Sequence, residues 1–235
     1  MNTFKRIYRI DEDPNLPEFN AFCHKLKGYA PGLLEDFLKN QESIQSRLES
    51  DGTVILDSGD RNLSYDTDDS VTCDTQDRNI EGWQGVFLRY MNEYNEEVET
   101  YTNPERWEKF PTAAKIMDEY GEDQSIFVYS VLAPRTILQR HSGQENVKGK
   151  YIRMHIPLII PEGRIFLECN HEEVDWSDVW GFDNRICHSA HNYSNEWRVV
   201  VCADFAREAV GLPTALPIDD EIYGDETLRF ELPPL

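Results

Sequence analysis

The chain has 235 residues, 40% of them hydrophobic and 11% aromatic, enough apolar material for one enclosed core and too little for two comfortable domains. With 23 Lys and Arg against 44 Asp and Glu the formal net charge is −21, a balance that repels phosphate backbones and anionic lipid surfaces and so disfavours nucleic-acid and membrane partners. Cys23, Cys73, Cys169, Cys187 and Cys202 are odd in number and form no CxxC pair, so neither a disulfide framework nor a structural zinc site is indicated. The opening MNTFKRIYRIDEDPN reaches acids before any apolar h-region, and no stretch of 18 apolar residues occurs, so a cytoplasmic protein is expected.

From Pro17 to about Ser50, Phe19, Phe22, Leu26, Leu33, Leu34, Phe37 and Leu38 recur at spacings of three and four. Gly28 and Pro31 interrupt that run, which predicts two short amphipathic helices. Thr53–Leu56 reads as a strand, followed by an acidic loop over 57–77, and a second strand is predicted around Gly82–Leu88. Thr112 is predicted to cap a helix running to Glu119. Beyond Gly121 the texture becomes short β-rich runs divided by Pro, Gly, Asn and Asp: Ile126–Leu132, Thr136–His141, Lys150–Ile160, Arg164–Cys169, Val179–Phe182, His188–Tyr193 and Trp197–Phe205. Seven strands at such intervals predict an antiparallel sandwich or barrel rather than βαβ units. The expected organisation is a helical or irregular extension over 1–81 packed on the core, a β domain over 82–211, and an acidic, Pro-rich tail over 212–235 laid over the surface or a partner subunit, an arrangement compatible with a homodimer.

Chemistry concentrates in the β-rich half. In Tyr151–Leu158, Ile152, Met154, Ile156 and Leu158 alternate onto one face and Arg153 and His155 share the other. That second face is either an ordinary solvent face or the wall of a site for an anionic ligand, since a guanidinium pairs with a carboxylate through two hydrogen bonds. Arg198 shares a face with Val200 and Cys202 inside an apolar strand and therefore needs a partner, either a buried Asp or Glu or the carboxylate of a ligand. His141 and His188 stand at strand ends, where neutral imidazoles could converge on an ion such as Fe(II). His24, His171 and His191 carry no such signal, and no HExxH accompanies the pair to suggest a zinc hydrolase.

The ordered set Tyr129–Thr136, His141-Ser-Gly143, Arg153-Met-His155, Phe182-Asp183, His188 and Arg198, preceded by Gly82-Trp83 and Phe110-Pro-Thr112, resembles the catalytic domain of the aspartyl/asparaginyl β-hydroxylases, iron- and 2-oxoglutarate-dependent oxygenases. The similarity runs from about Gly82 to Phe205. It implies a mainly β, jelly-roll (double-stranded β-helix, cupin-like) core with flanking helices, Fe(II) held by His141 and His188, and 2-oxoglutarate and O2 as cosubstrates. It also implies that Arg198 pairs with the distal carboxylate of 2-oxoglutarate with help from Ser130 and His155, and that Arg153 serves the cosubstrate or the substrate carboxylate. Where most of the wider superfamily carries a metal-binding carboxylate, this family is similar to the present chain in having Gly143. Room at Gly143 leads to the expectation that Gly143→Asp adds an oxygen ligand and tightens Fe(II) binding.

The chain departs from the family pattern at Arg135, usually Gly, at Asn184, usually a second Asp, and in a longer loop over Gln144–Ile152. Lacking a helical-repeat region or anchor, it is expected to hydroxylate an unactivated carbon of a free, carrier-bound or small-peptide amino acid. Two rivals stay open at this point: a halogenase, in which chloride takes the position Gly143 leaves, and a non-catalytic jelly-roll binding module.

Overall fold

A computed structural model describes residues 6–51, 83–92, 99–102, 104–143, 146, 148–169 and 171–215. The elements in chain order are β1 (Ile7–Arg9), α1 (Pro17–Asp51), β2 (Trp83–Asn92), β3 (Glu99–Thr102), α2 (Pro104–Lys109), α3 (Pro111–Tyr120), β4 (Gln124–Leu132), β5 (Thr136–His141), β6 (Tyr151–Ile159), β7 (Ile165–Cys169), β8 (Glu172–Val174), β9 (Trp180–Phe182), β10 (His188–Asn192) and β11 (Arg198–Ala206). They form a seven-stranded sheet in the order β1-β9-β6-β11-β4-β2-β3 and a four-stranded sheet in the order β5-β10-β7-β8, antiparallel throughout. From β4 to β11 the chain crosses between the sheets at almost every connection, which winds these eight strands into a double-stranded β-helix with jelly-roll topology. Each of the seven β-rich runs beyond Gly121 is a strand, with ends shifted by at most two residues.

The larger sheet is covered on both faces, and this decides which residues look where. On its outer face, Phe127, Tyr129 and Val131 of β4, Ile152, Met154 and Ile156 of β6, and Val199, Val201, Ala203 and Phe205 of β11 pack beneath Phe19, Phe22, Leu26, Leu33 and Phe37 of α1 and Ile116 and Met117 of α3. Phe22 and Tyr120 each meet the Phe205 ring edge to face at 4.9 Å. The alternate residues of the same strands therefore point between the sheets, where Ile126, Val128, Val200 and Cys202 meet Leu138, Leu167 and Ala190 of the smaller sheet.

Helix α1 corrects the expectation of two short helices: it runs unbroken for 35 residues with Pro31 inside. A Pro inside a helix costs about 3 kcal/mol, but Pro31 is on the exposed side of α1, the apolar residues on either side of it fall on one stripe against one sheet face, and that tertiary packing outweighs the local break. The start of α3 also differs from expectation, because Pro111 rather than Thr112 opens the helix and Phe110 stands at the cap without a side-chain bond. The cap comes from α1 instead: buried Asp36 accepts the Thr112 backbone N–H at Oδ2, 2.7 Å away. Strand β1, from within the predicted extension, pairs with β9 and so belongs to the larger sheet. The predicted strand over 53–56, the acidic loop over 57–77 and the tail from 216 lie outside the described residues. No helix among the described residues is long and apolar enough to cross a membrane.

Asp36→Ala removes a cap supplied across two helices and is expected to destabilise the protein by about 1–2 kcal/mol, with Asp36→Asn, which keeps an acceptor, losing less. Urea unfolding of the two variants beside wild type measures both differences.

Candidate functional site

Strand register builds the site. Cys202 of β11 lies opposite His155 of β6 and Asp204 opposite Arg153, so Arg198, Cys202 and Asp204 share the inter-sheet face with Arg153 and His155. Across the gap, His141 of β5 and His188 of β10 are cross-strand partners. His141, His188, Arg153, His155, Arg198 and Cys202, with Ser130 of β4 and an aromatic wall of Trp83, Phe87 and Tyr90 on β2, line one cavity that opens to solvent. The rest of its lining is aliphatic, Ile126, Val128, Leu138, Leu167 and Ala190, so a few convergent polar groups stand on an apolar wall as in small-molecule sites.

The two imidazoles are in contact, with ring centroids 4.2 Å apart. His188 is anchored through Nδ1, 2.7 Å from the Ile186 carbonyl oxygen, so Nδ1 carries the proton and Nε2 keeps its lone pair. Burial, reinforced by the neighbouring His141, holds His188 well below the ordinary imidazole range, and it is neutral at neutral pH. An anchored, neutral imidazole beside a second one fits a soft or borderline divalent ion such as Fe(II). Among the described residues no group of three or more His, Cys, Asp and Glu is placed to hold a metal, which leaves the histidine pair as the donors there that could hold one. Asp183, the nearest candidate for a third ligand, is occupied. Burial opposes its ionisation, but bonds from Arg185 Nε and Nη2 at 2.8 and 2.6 Å and from Arg207 at 3.2 Å hold its carboxyl below the usual range, and Arg6 adds a contact at 3.5 Å.

At the other side of the cavity Arg198 is 1% exposed, and no carboxylate among the described residues pairs with it. Its Nη1 reaches the Ser130 carbonyl and hydroxyl oxygens at 3.4 Å each, its Nε has no partner among the described residues, and its guanidinium lies 4.8 Å from the centre of the Trp176 ring. Burial lowers the Arg198 pKa to about 10, which leaves the group cationic at neutral pH. Ser130 also accepts the Trp83 indole N–H at 2.9 Å. The His155 ring lies side by side with that of Trp176, ring planes 6° apart, and accepts the Trp176 N–H at Nδ1, 2.9 Å away. The structure thus brings together His141 with His188, and Ser130 and His155 with Arg198, on one cavity.

Arg153 lines the same cavity but is held differently. Its Nε and Nη2 form a two-point pair with Asp204 at 2.7 and 2.8 Å, and Asp204 is fully buried. Gly143 does not offer the room expected of it: a Cβ there would stand 2.2 Å from Asn184 Nδ2 and 3.0 Å from the Asn184 backbone oxygen, which already accepts the Gly143 N–H at 2.7 Å. Asn184 is itself fixed by Asn146, whose Nδ2 donates to Asn184 Oδ1 at 3.0 Å. Position 143 therefore faces the turn before β10, and its glycine is required by close approach. Arg135 explains the other departure, since its φ of +55° is the left-handed conformation that glycine adopts without cost.

Sequence reasoning missed Trp176, Cys202 and Asp204 as site residues. Cys202 and Asp204 were accessible from the same alternation that placed Arg198, whereas Trp176 lies in the β8–β9 connection, where no periodicity points. For Gly143→Asp the geometry now predicts the reverse of the initial expectation: lower stability from the clash with Asn184 and no gain in Fe(II) affinity, measured by metal titration and urea unfolding in parallel.

None of the curated proteins compared with the chain matches it. Among solved structures, a 2OG-Fe(II) oxygenase family oxidoreductase from Burkholderia pseudomallei aligns at 8% identity over 57% of this chain and 72% of that one, with a TM-score of 0.37. A prolyl-4-hydroxylase from Pseudomonas putida aligns at 14% identity over 45% of this chain and 68% of that one, with a TM-score of 0.33. The aspartyl/asparaginyl beta-hydroxylase profile matches residues 45–208, more than half of the sequence, and the chain belongs to that family.

Proposed function

We propose that this protein is an Fe(II)- and 2-oxoglutarate-dependent dioxygenase that hydroxylates an unactivated carbon of an amino acid, an amino-acid derivative or a small peptide. The observation that carries the reading is Arg198, a buried guanidinium with no carboxylate partner among the described residues, lining a cavity that also presents two contacting histidines. Membership of the family supports it. An unpaired buried charge is costly enough that a sequence keeping one has a use for it, and a dicarboxylate cosubstrate supplies the missing partner.

His141 and His188 would hold the metal, and the bound iron would supply the oxidative chemistry that couples decarboxylation of 2-oxoglutarate by O2 to hydroxylation of a substrate C–H bond. The chain's own contribution is placement. Arg198 fixes the distal carboxylate by two-point contact, the Ser130 hydroxyl and His155 line its approach, and Leu138, Leu167 and Ala190 keep water from the floor of the cavity. The four described cysteines are buried and outside any disulfide, in keeping with a cytoplasmic enzyme.

Aerobic incubation of the protein with Fe(II), 2-oxoglutarate and panels of amino acids and small peptides, with succinate and product mass measured together, tests the reading. Succinate formed in step with a product 16 Da heavier supports it, a chlorinated product in chloride buffer identifies a halogenase instead, and no turnover of 2-oxoglutarate with any panel refutes it. Arg198→Lys is expected to raise the apparent KM for 2-oxoglutarate by about tenfold or more, because a point ammonium cannot reproduce a planar two-donor contact. An unchanged KM would make Arg198 a structural residue.

A further inference from the structure

Trp176 is buried in the connection between β8 and β9, outside every motif that carried the functional reading, and it touches both groups assigned to the cosubstrate carboxylate. One face of its ring bears the Arg198 guanidinium at 4.8 Å, and its ring lies parallel to that of His155. Its indole N–H, which can only donate, is 2.9 Å from His155 Nδ1. Nδ1 must therefore be the acceptor. Burial, with the adjacent Arg198 and Arg153 charges, keeps His155 neutral, so its one proton resides on Nε2. That nitrogen lies 3.3 Å from Cys202 Sγ, on the cavity wall. Sulfur is a weak acceptor, and burial keeps the thiol protonated by pushing its pKa up to about 11. The Nε2–H donor is thus committed to a partner that a carboxylate oxygen readily outcompetes.

We propose that Trp176 is the positioning residue of the cosubstrate site: through one hydrogen bond it selects the His155 tautomer that turns a donor toward the cavity, and through its ring face it seats Arg198 beside that donor. In the opposite tautomer His155 would present a lone pair toward the incoming carboxylate and repel it. The proposal rests on the assignment of Arg198 and His155 to a carboxylate ligand, but the tautomer itself is a property of the ligand-free protein.

The test uses Trp176→Phe, which keeps an aromatic ring for Arg198 and removes the N–H together with part of the indole ring system. Nitrogen NMR of 15N-histidine-labelled, metal-free protein, with the His155 signals identified by their loss in His155→Gln, reads the tautomer directly. Wild type is expected to show His155 as a single Nε2–H species, and Trp176→Phe to show both tautomers. In anaerobic equilibrium binding with Fe(II) present, the variant is expected to bind 2-oxoglutarate about three- to tenfold more weakly, the size of one neutral hydrogen bond, while its apparent kcat at saturating 2-oxoglutarate stays near wild type. Trp176→Ala, which also removes the seat of Arg198, is expected to lose more. An Nδ1–H species in wild type, or a variant with wild-type tautomer and affinity, overturns the role of Trp176. Wild type that shows the Nε2–H tautomer yet binds no 2-oxoglutarate overturns the functional reading and the ligand half of this proposal with it.

Discussion

A guanidinium enclosed in a β-sandwich with no carboxylate paired to it among the described residues is the constraint around which this structure is arranged. Desolvating a charge costs several kcal/mol unless polar groups and a counter-ion compensate. Arg198 receives only part of that compensation, from the Ser130 oxygens and the face of Trp176. The neighbouring arginines are treated differently, since Arg153 is clamped by Asp204 and Arg140 by Glu168, and one aspartate, Asp183, collects Arg6, Arg185 and Arg207. A chain with 44 acidic residues has no shortage of counter-ions. Among the described residues Arg198 is left without one, at the cavity that also holds the histidine pair, and this sets it apart from the arginines whose charge is matched by a neighbouring acid.

This arrangement depends on which side of the larger sheet is the apolar one. Helices α1 and α3 cover its outer face, so the most regularly apolar positions of β4, β6 and β11 point away from the sandwich interior. The interior is left to the alternate positions, where Ser130, Arg153, His155, Arg198 and Asp204 sit among aliphatic neighbours. The same packing carries α1 straight through Pro31 and lets Asp36 cap α3 from a distance of 76 residues in sequence. Fold stability and site polarity are therefore two consequences of one sheet having two covered faces.

Much of this was legible in the sequence because a strand's alternation is a local signal. The alternation of Ile152, Met154 and Ile156 against Arg153 and His155 gave the correct division of faces, and Arg198 among Val199, Val200 and Val201 identified itself as a buried charge in need of a partner. What remained hidden was set by contacts distant in sequence. Whether Arg198 met an internal acid, how Trp176 reached across to His155, and which way Gly143 faced are decided by loop positions that no periodicity encodes. Gly143 is the clearest instance: the absence of a carboxylate was visible, but the reason, an Asn184 packed against the space a side chain would need, required the fold.

The proposed function requires His141 and His188 to present iron to a cosubstrate anchored at Arg198. Its most direct measurement is the visible absorption spectrum of the anaerobic protein as Fe(II) and then 2-oxoglutarate are added. A weak charge-transfer band is expected that requires both additions and is lost in His141→Ala and His188→Ala variants that retain wild-type circular dichroism. Folded wild-type protein that develops no such band, or variants of both histidines that keep it, would contradict the claim.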